Sequence, residues 1–158
     1  MTGAFKAIVA AIILVLSLSV PVVAGPFEDA GAAYERFDYA TAQRLYRAMA
    51  DQGNGNAQFS LGVMYEKGQG VTLNLNEAAK WYRLAADQGH PTAQFNLGAM
   101  YDNGRGVPRD ETLAHMWFSL SVAQGNHEAA TSRDIVARRL TPSQVAQAQK
   151  LAREWKPE

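Results

Sequence analysis

From about residue 30 onward, the apolar positions fall at helical intervals. Ala57, Leu61, Met64 and Tyr65 recur three and four residues apart, and Ala78, Trp81, Tyr82 and Ala85 do the same. Each run therefore places one apolar stripe along a helix, with polar residues on the remaining surface. The pattern then repeats every 36 residues, linking Leu45, Trp81 and Trp117, then Tyr46, Tyr82 and Phe118, then Ala42, Ala78 and Ala114. Between the second and third copies the identity is closer still. Ala57-Gln58-Phe59 returns as Ala93-Gln94-Phe95, Leu61-Gly62 as Leu97-Gly98, Met64-Tyr65 as Met100-Tyr101, and Gly68-Gln69-Gly70-Val71 as Gly104-Arg105-Gly106-Val107. A period of this length marks a stacked-repeat architecture, here helix, glycine loop, helix.

Starts and stops agree with that reading. Asp38, Asn74 and Asp110 occupy the same register position and suit the N-cap of each second helix, and Asn74 with Glu77 predicts a capping box. Gly53, Gly89 and Gly125 follow the ends of those helices, and Pro91 suits the first turn of the next one. Gly62 and Gly98 lie inside helices, where glycine costs about 0.5–1 kcal/mol relative to alanine. Their place beside Leu61 and Leu97 predicts that they admit a close-packed partner helix. After Gly125 the register weakens, since Arg133 and Asp134 stand where leucine and glycine are due. A last helix opens at Thr141-Pro142-Ser143-Gln144, a second capping box, with Val145, Ala148, Ala152 and Trp155 as its stripe.

The run Ala-x-x-x-Leu-Gly-x-x-Tyr, Gly-x-Gly-Val, Ala-x-x-Trp-Tyr-x-x-Ala-Ala-x-x-Gly, read from Ala57 to Gly89 and largely again from Ala93 to Gly125, resembles the Sel-one-like repeat (SLR) family, a relative of the tetratricopeptide repeat. The resemblance implies an all-α fold, a right-handed α-solenoid of antiparallel helix pairs with about eight helices. Residues 25–53 read as a degenerate, tetratricopeptide-like first unit. Gly31 and Tyr34 match Gly62 and Tyr65, but seven residues separate Tyr34 from Ala42 where twelve separate Tyr65 from Ala78. Residues 54–89 and 90–125 are full repeats, and residues 126–158 form the terminal cap a solenoid needs.

Residues 1–24 follow a different rule. Lys6 is their one charge, Ala7 to Val20 is apolar apart from Ser17 and Ser19, and Pro21 precedes the small residues ending at Ala24. This is the order of a cleavable secretory signal peptide, and its apolar core is shorter than the roughly 20 residues needed to cross a bilayer. The expectation is export to the periplasm or beyond, with a mature chain beginning near Gly25 and no lasting membrane attachment. The whole chain holds 15 basic and 15 acidic residues and no cysteine. The balance removes the positive field of a nucleic-acid binder, and the missing thiols exclude disulfides, thiolate metal sites and a cysteine nucleophile. Charge is nevertheless uneven along the chain. Residues 25–132 hold 8 basic and 12 acidic residues, and residues 133–158 hold 6 and 3.

Catalytic patterns are sparse. The Gly-x-Gly loops follow a helix rather than a strand and lack the third glycine of a dinucleotide fingerprint. His90, His115 and His127 form no ligand pair, and His90 aligns with Asn54 and Asn126 at a cap position, so neither a metal nor a cofactor is expected. The mature chain contains no Gly-x-Ser-x-Gly or Ser-x-x-Lys motif. In tetratricopeptide relatives the first helix of each pair lines the concave, ligand-binding face. Carrying that over places Asn56, Phe59, Val63 and Glu66 of one unit and Thr92, Phe95, Ala99 and Asp102 of the next on the face. Phe59 and Phe95 lie off the inner stripe and are the candidate anchors, with packing between units as the competing role. The reading is a non-enzymatic scaffold, adaptor or regulator for a protein or peptide partner of the cell envelope. The alternative, which the resemblance to SLR relatives implies, is a cell-wall protein that binds or hydrolyses peptidoglycan or β-lactams.

Overall fold

The computed structural model describes residues 25–157; the signal peptide expected at 1–24 lies outside them. Among the described residues the chain forms eight helices and no strand. They are α1 (Pro26–Glu35), α2 (Tyr39–Ala50), α3 (Gly55–Lys67), α4 (Leu75–Asp87), α5 (Pro91–Asn103), α6 (Glu111–Ala123), α7 (Glu128–Ala137) and α8 (Pro142–Glu154). Capping side chains set most of the starts. Asp38 accepts the Thr41 N–H at 3.1 Å, Asp110 that of Leu113 at 2.9 Å, and His90 Nδ1 that of Ala93 at 3.2 Å. The box at Thr141 and Gln144 is complete. At Asn74 only half of the expected box forms: Asn74 accepts from Asn76 and Glu77, but the Glu77 carboxylate turns outward to Lys80 at 2.5 Å.

Helices α1 and α2, α3 and α4, and α5 and α6 form three hairpins, and the second helix of each packs on the first helix of the next unit. The end of the array is built differently. Helix α7 continues onto α6 as a fourth first helix, whereas α8 turns back across α6 instead of pairing with α7. The core has two parts. Leu61 and Met64 lie with Ala30, Ala33, Ala42 and Tyr46 in one. Tyr82, Leu97, Trp117 and Phe118 lie in the other, which Val136 and Ala148 of the last two helices close. Removing this apolar surface from water drives the stacking.

The helix glycines do what their position predicts. A Cβ on Gly62 would stand 2.5 Å from both Cδ1 and Cε1 of Tyr82, and one on Gly98 would stand 2.8 Å from Phe118 Cδ1. Each glycine is therefore the flat surface on which an aromatic ring of the partner helix lies. The glycine loops join neighbouring units. Gly70, at φ +70°, is so close to the first residue of α2 that a Cβ would sit 2.5 Å from the Tyr39 carbonyl oxygen, and Gly106 presses on Leu75 of α4 in the same way.

Between the two loop glycines, a side chain reaches back to the preceding unit. Gln69 accepts from the Tyr34 hydroxyl at 2.5 Å and donates to the Tyr39 hydroxyl at 3.0 Å. Arg105 pairs with Glu66 at 3.7 Å. The cap supplies the next rung from another position, since Arg139 pairs with Asp102 and, at 3.0 Å, with Glu111. Buried glutamines tie the units from the other end. Gln58 Nε2 donates to the Ala50 carbonyl at 3.3 Å and Gln94 Nε2 to that of Ala86 at 3.1 Å, each closing a second helix. Cationic stacking completes the joints. The Arg47 guanidinium lies 5.1 Å from the Trp81 ring, and that of Arg83 lies 5.1 Å from Trp117.

Candidate functional site

All eight candidate residues lie on α3 and α5, and the fold distributes seven of them among four surface features. Phe59 and Val63 line a niche of about 140 Å³ together with Tyr34, Tyr46 and Ser60. Thr92 and Phe95 line an open depression of about 470 Å³ with Pro91, Asn96, Gln124 and Asn126. Glu66 and Ala99 border a narrow cleft with Asn96 and Arg105. Asn56 lies in a shallow hollow beside Asn54, Gln88 and His90. Asp102 stands apart from these features, held by Arg139.

Each phenylalanine is half-buried and serves both packing and surface. The Phe59 ring stacks on His90 at 4.6 Å between centroids and tilts against Tyr82 at 5.8 Å. Its other side opens on the niche. Phe95 rests on Phe118 at 5.6 Å. The residue that would cover it, by the register that places His90 over Phe59, is Asn126. With no ring there, Phe95 faces the depression. Each ring is thus packed between units on one side and open to a recess on the other, so neither full burial nor full exposure holds.

The candidate acids are not free. Glu66 accepts from the Tyr82 hydroxyl at 2.7 Å in addition to pairing with Arg105. Burial and the hydrogen bond to the Glu66 carboxylate together push the Tyr82 phenol far above its ordinary range. In the first unit, burial also raises the Tyr46 phenol, against a smaller opposing effect of the Ser60 hydroxyl.

The side chains most suggestive of catalysis are Ser119 and His115, with the Ser119 Oγ 3.4 Å from His115 Nδ1. That hydroxyl donates to the backbone carbonyl of His115 at 2.8 Å, so its proton points away from the ring that would have to accept it. Burial, and then Arg133, hold the His115 imidazole below its usual range. Among the described residues no three histidine or carboxylate side chains come together as a metal site, and no helix is long and apolar enough to cross a membrane.

Tyr34, Tyr46, Ser60 and Asn96 were not among the sequence-derived site residues. Ser60 and Asn96 each follow a candidate phenylalanine by one residue, so their shared register position was the available signal. The tyrosines come from α1 and α2 of the first unit, and it is the fold that brings them beside Phe59. Phe37 and Leu73, one period apart just before α2 and α4, are exposed at 77% and 58%, and Phe37 has φ +63°.

Comparison with known proteins gives a consistent result. The family model for the Sel1 repeat matches residues 29–54, 55–90 and 91–126, so it extends to the first unit that the sequence pattern reads as degenerate. A search of the curated proteins found no match. Among solved structures, the chain is similar to c5321, a protective antigen of uropathogenic Escherichia coli strains displaying an SLR fold, with 31% identity and a TM-score of 0.77 over 82% of this chain. It spans 29% of that protein's length. It is also similar to a Sel1 repeat protein from Oxalobacter formigenes, with 34% identity and a TM-score of 0.64, over 69% of this chain and 85% of the other. The 36-residue register, the three helical hairpins and these matches together show that the chain belongs to the Sel1 repeat family, an all-α solenoid of the SLR type.

Proposed function

We propose that this protein is a non-enzymatic scaffold of the periplasm, exported by residues 1–24, that holds an extended segment of a partner protein against the face formed by α3 and α5. Sel1 repeats typically mediate protein–protein interaction. The observation that carries the reading here is the presentation of Phe59 and Phe95 one period apart, each braced from behind and each bordering an open recess. Aromatic anchors at the centre of a recess are the usual energetic focus of a protein interface. Support for export rests on Lys6, the apolar run from Ala7 and the small residues ending at Ala24.

The test is crosslinking and affinity co-purification from native cells, run beside a folded Phe59→Lys, Phe95→Lys variant. A partner captured by the parent and lost in the variant is the expected result. A partner retained equally by both would remove this face from the interaction. Intact mass of the exported protein checks the address, with a mature start near Gly25 expected and retention of residues 1–24 overturning it.

A further inference from the structure

The niche beside Phe59 has a chemistry of its own. Its volume of about 140 Å³ is well below the roughly 300–1,000 Å³ of small-molecule pockets, so it suits one side chain rather than a whole ligand. Its walls are three aromatic rings, the Val63 methyls and the Ser60 hydroxyl, which favour an apolar occupant. Charge around it follows from the repeat register. Aligning Gly31 and Tyr34 with Gly62 and Tyr65 places Glu35 at the position of Glu66 and Asp102. In the later units the chain supplies its own cation there, Arg105 for Glu66 and Arg139 for Asp102. At the first unit the loop residue is Gln69, which is engaged by Tyr34 and Tyr39 instead.

Glu35 follows the niche-lining Tyr34 on α1, in the register position of the Glu66 that borders the equivalent cleft with Asn96 and Ala99, and among the described residues it has no ion-pair partner. It is exposed and ends α1, so the carbonyl end of the helix dipole adds to the negative potential. Helix α1 also carries Glu28 and Asp29 and no basic residue, and among the described residues none of these three acids has an ion-pair partner. The place where units two and three neutralise themselves is thus left for another molecule at unit one.

Resting on the scaffold reading above, we propose that this niche takes an aliphatic side chain of the partner protein, flanked by a lysine or arginine whose cation sits at Glu35. The apolar residue supplies burial against Phe59 and Val63, and the cation sets register and discriminates against acidic segments. The partner segment is therefore an apolar-basic one.

The test is an amide chemical-shift titration of the purified protein with N-acetyl-Leu-Lys-amide, N-acetyl-Leu-Glu-amide and N-acetyl-Ala-Lys-amide. The leucyl-lysine probe is expected to shift Phe59, Ser60 and Val63 saturably and to bind about two- to fivefold more tightly than the leucyl-glutamate probe, the range of an exposed ion pair. The alanyl probe should leave these amides in place. Glu35→Gln should abolish the preference and Glu35→Lys reverse it, both with the unliganded spectrum otherwise preserved. Equal binding of the two leucyl probes, a preference indifferent to Glu35, or shifts confined to other surfaces would overturn the proposal. If a partner is still captured through Phe59 and Phe95, that result removes the niche chemistry alone. Failure of both capture and titration removes the scaffold reading with it.

Discussion

The glycines inside the first helices offer a test of the packing argument in which one substitution should change sign along the chain. Gly31, Gly62 and Gly98 occupy equivalent positions of three units. Glycine to alanine in a helix interior gains about 0.5–1 kcal/mol where the new methyl has room. At Gly31 it has room, because the nearest side-chain atom to an added Cβ is the Tyr46 hydroxyl at 3.7 Å, an ordinary contact. At Gly62 two ring carbons of Tyr82 lie at 2.5 Å, about 1 Å inside the optimal carbon–carbon separation. The ring cannot step aside cheaply, since it is fully buried and its hydroxyl is held by Glu66 at 2.7 Å.

Overpacking of this kind costs about 1–3 kcal/mol, which outweighs the helix gain. We expect Gly31→Ala to raise the thermal midpoint by about 2–4 °C and Gly62→Ala to lower it by about 3–8 °C, taking a few degrees per kcal/mol for a domain of this size. Gly98→Ala should follow Gly62→Ala, its Cβ meeting Phe118 at 2.8 Å and the Ala114 carbonyl oxygen at 3.3 Å. Thermal and urea unfolding followed by circular dichroism would read all three. Shifts of the same sign at Gly31 and Gly62 would refute the claim that ring contact, rather than helix propensity, decides these positions.

Three further outcomes follow from local geometry. Burial depresses the folded-state pKa of His90, whose Nδ1 must be unprotonated to cap α5, so its stabilisation is complete above its unfolded pKa of about 6.5 and is lost as pH falls below that. His90→Asn, restoring the residue found at positions 54 and 126, should flatten part of the fall in urea midpoint between pH 7.5 and 5; an unchanged pH slope would contradict this. Phe37 holds φ +63° with 77% of its surface exposed, so Phe37→Gly should stabilise by about 1 kcal/mol through relief of the left-handed conformation, and a loss of stability in equilibrium unfolding would show that its contact with Tyr39 matters more. Arg139→Gln removes both ion pairs to Asp102 and Glu111; because the side chain is 37% exposed, the cost should stay below about 1 kcal/mol, with faster hydrogen exchange at the α7–α8 junction as the more sensitive readout.

What could be read from the chain was whatever depends on neighbours in sequence. Helix stripes, caps at Asp38, Asn74, Asp110 and Thr141, and the 36-residue register are local or periodic properties, and periodicity names the fold because identical units must bury identical faces on one another. Even the role of Gly62 was legible, since a glycine tolerated on an apolar helix stripe implies a close neighbour. The site was legible only as a face. Position along α3 and α5 identifies the outward residues, but whether Phe59 was packed or open depends on His90, which arrives from the next unit.

Tertiary structure decided the pairings that cross units. The same acidic register position meets Arg105 in one unit, Arg139 in another and, among the described residues, no arginine at Glu35, and no spacing rule predicts this because the cap leaves the period. The return of α8 onto α6 was likewise outside the pattern, since the stripe of Val145, Ala148, Ala152 and Trp155 is compatible with any apolar surface. Local hydrogen bonds and apolar periodicity write the elements into the sequence. Rise and rotation between units, set by packing, determine which side chains from distant positions finally share a recess and which charges meet an ion-pair partner within the chain.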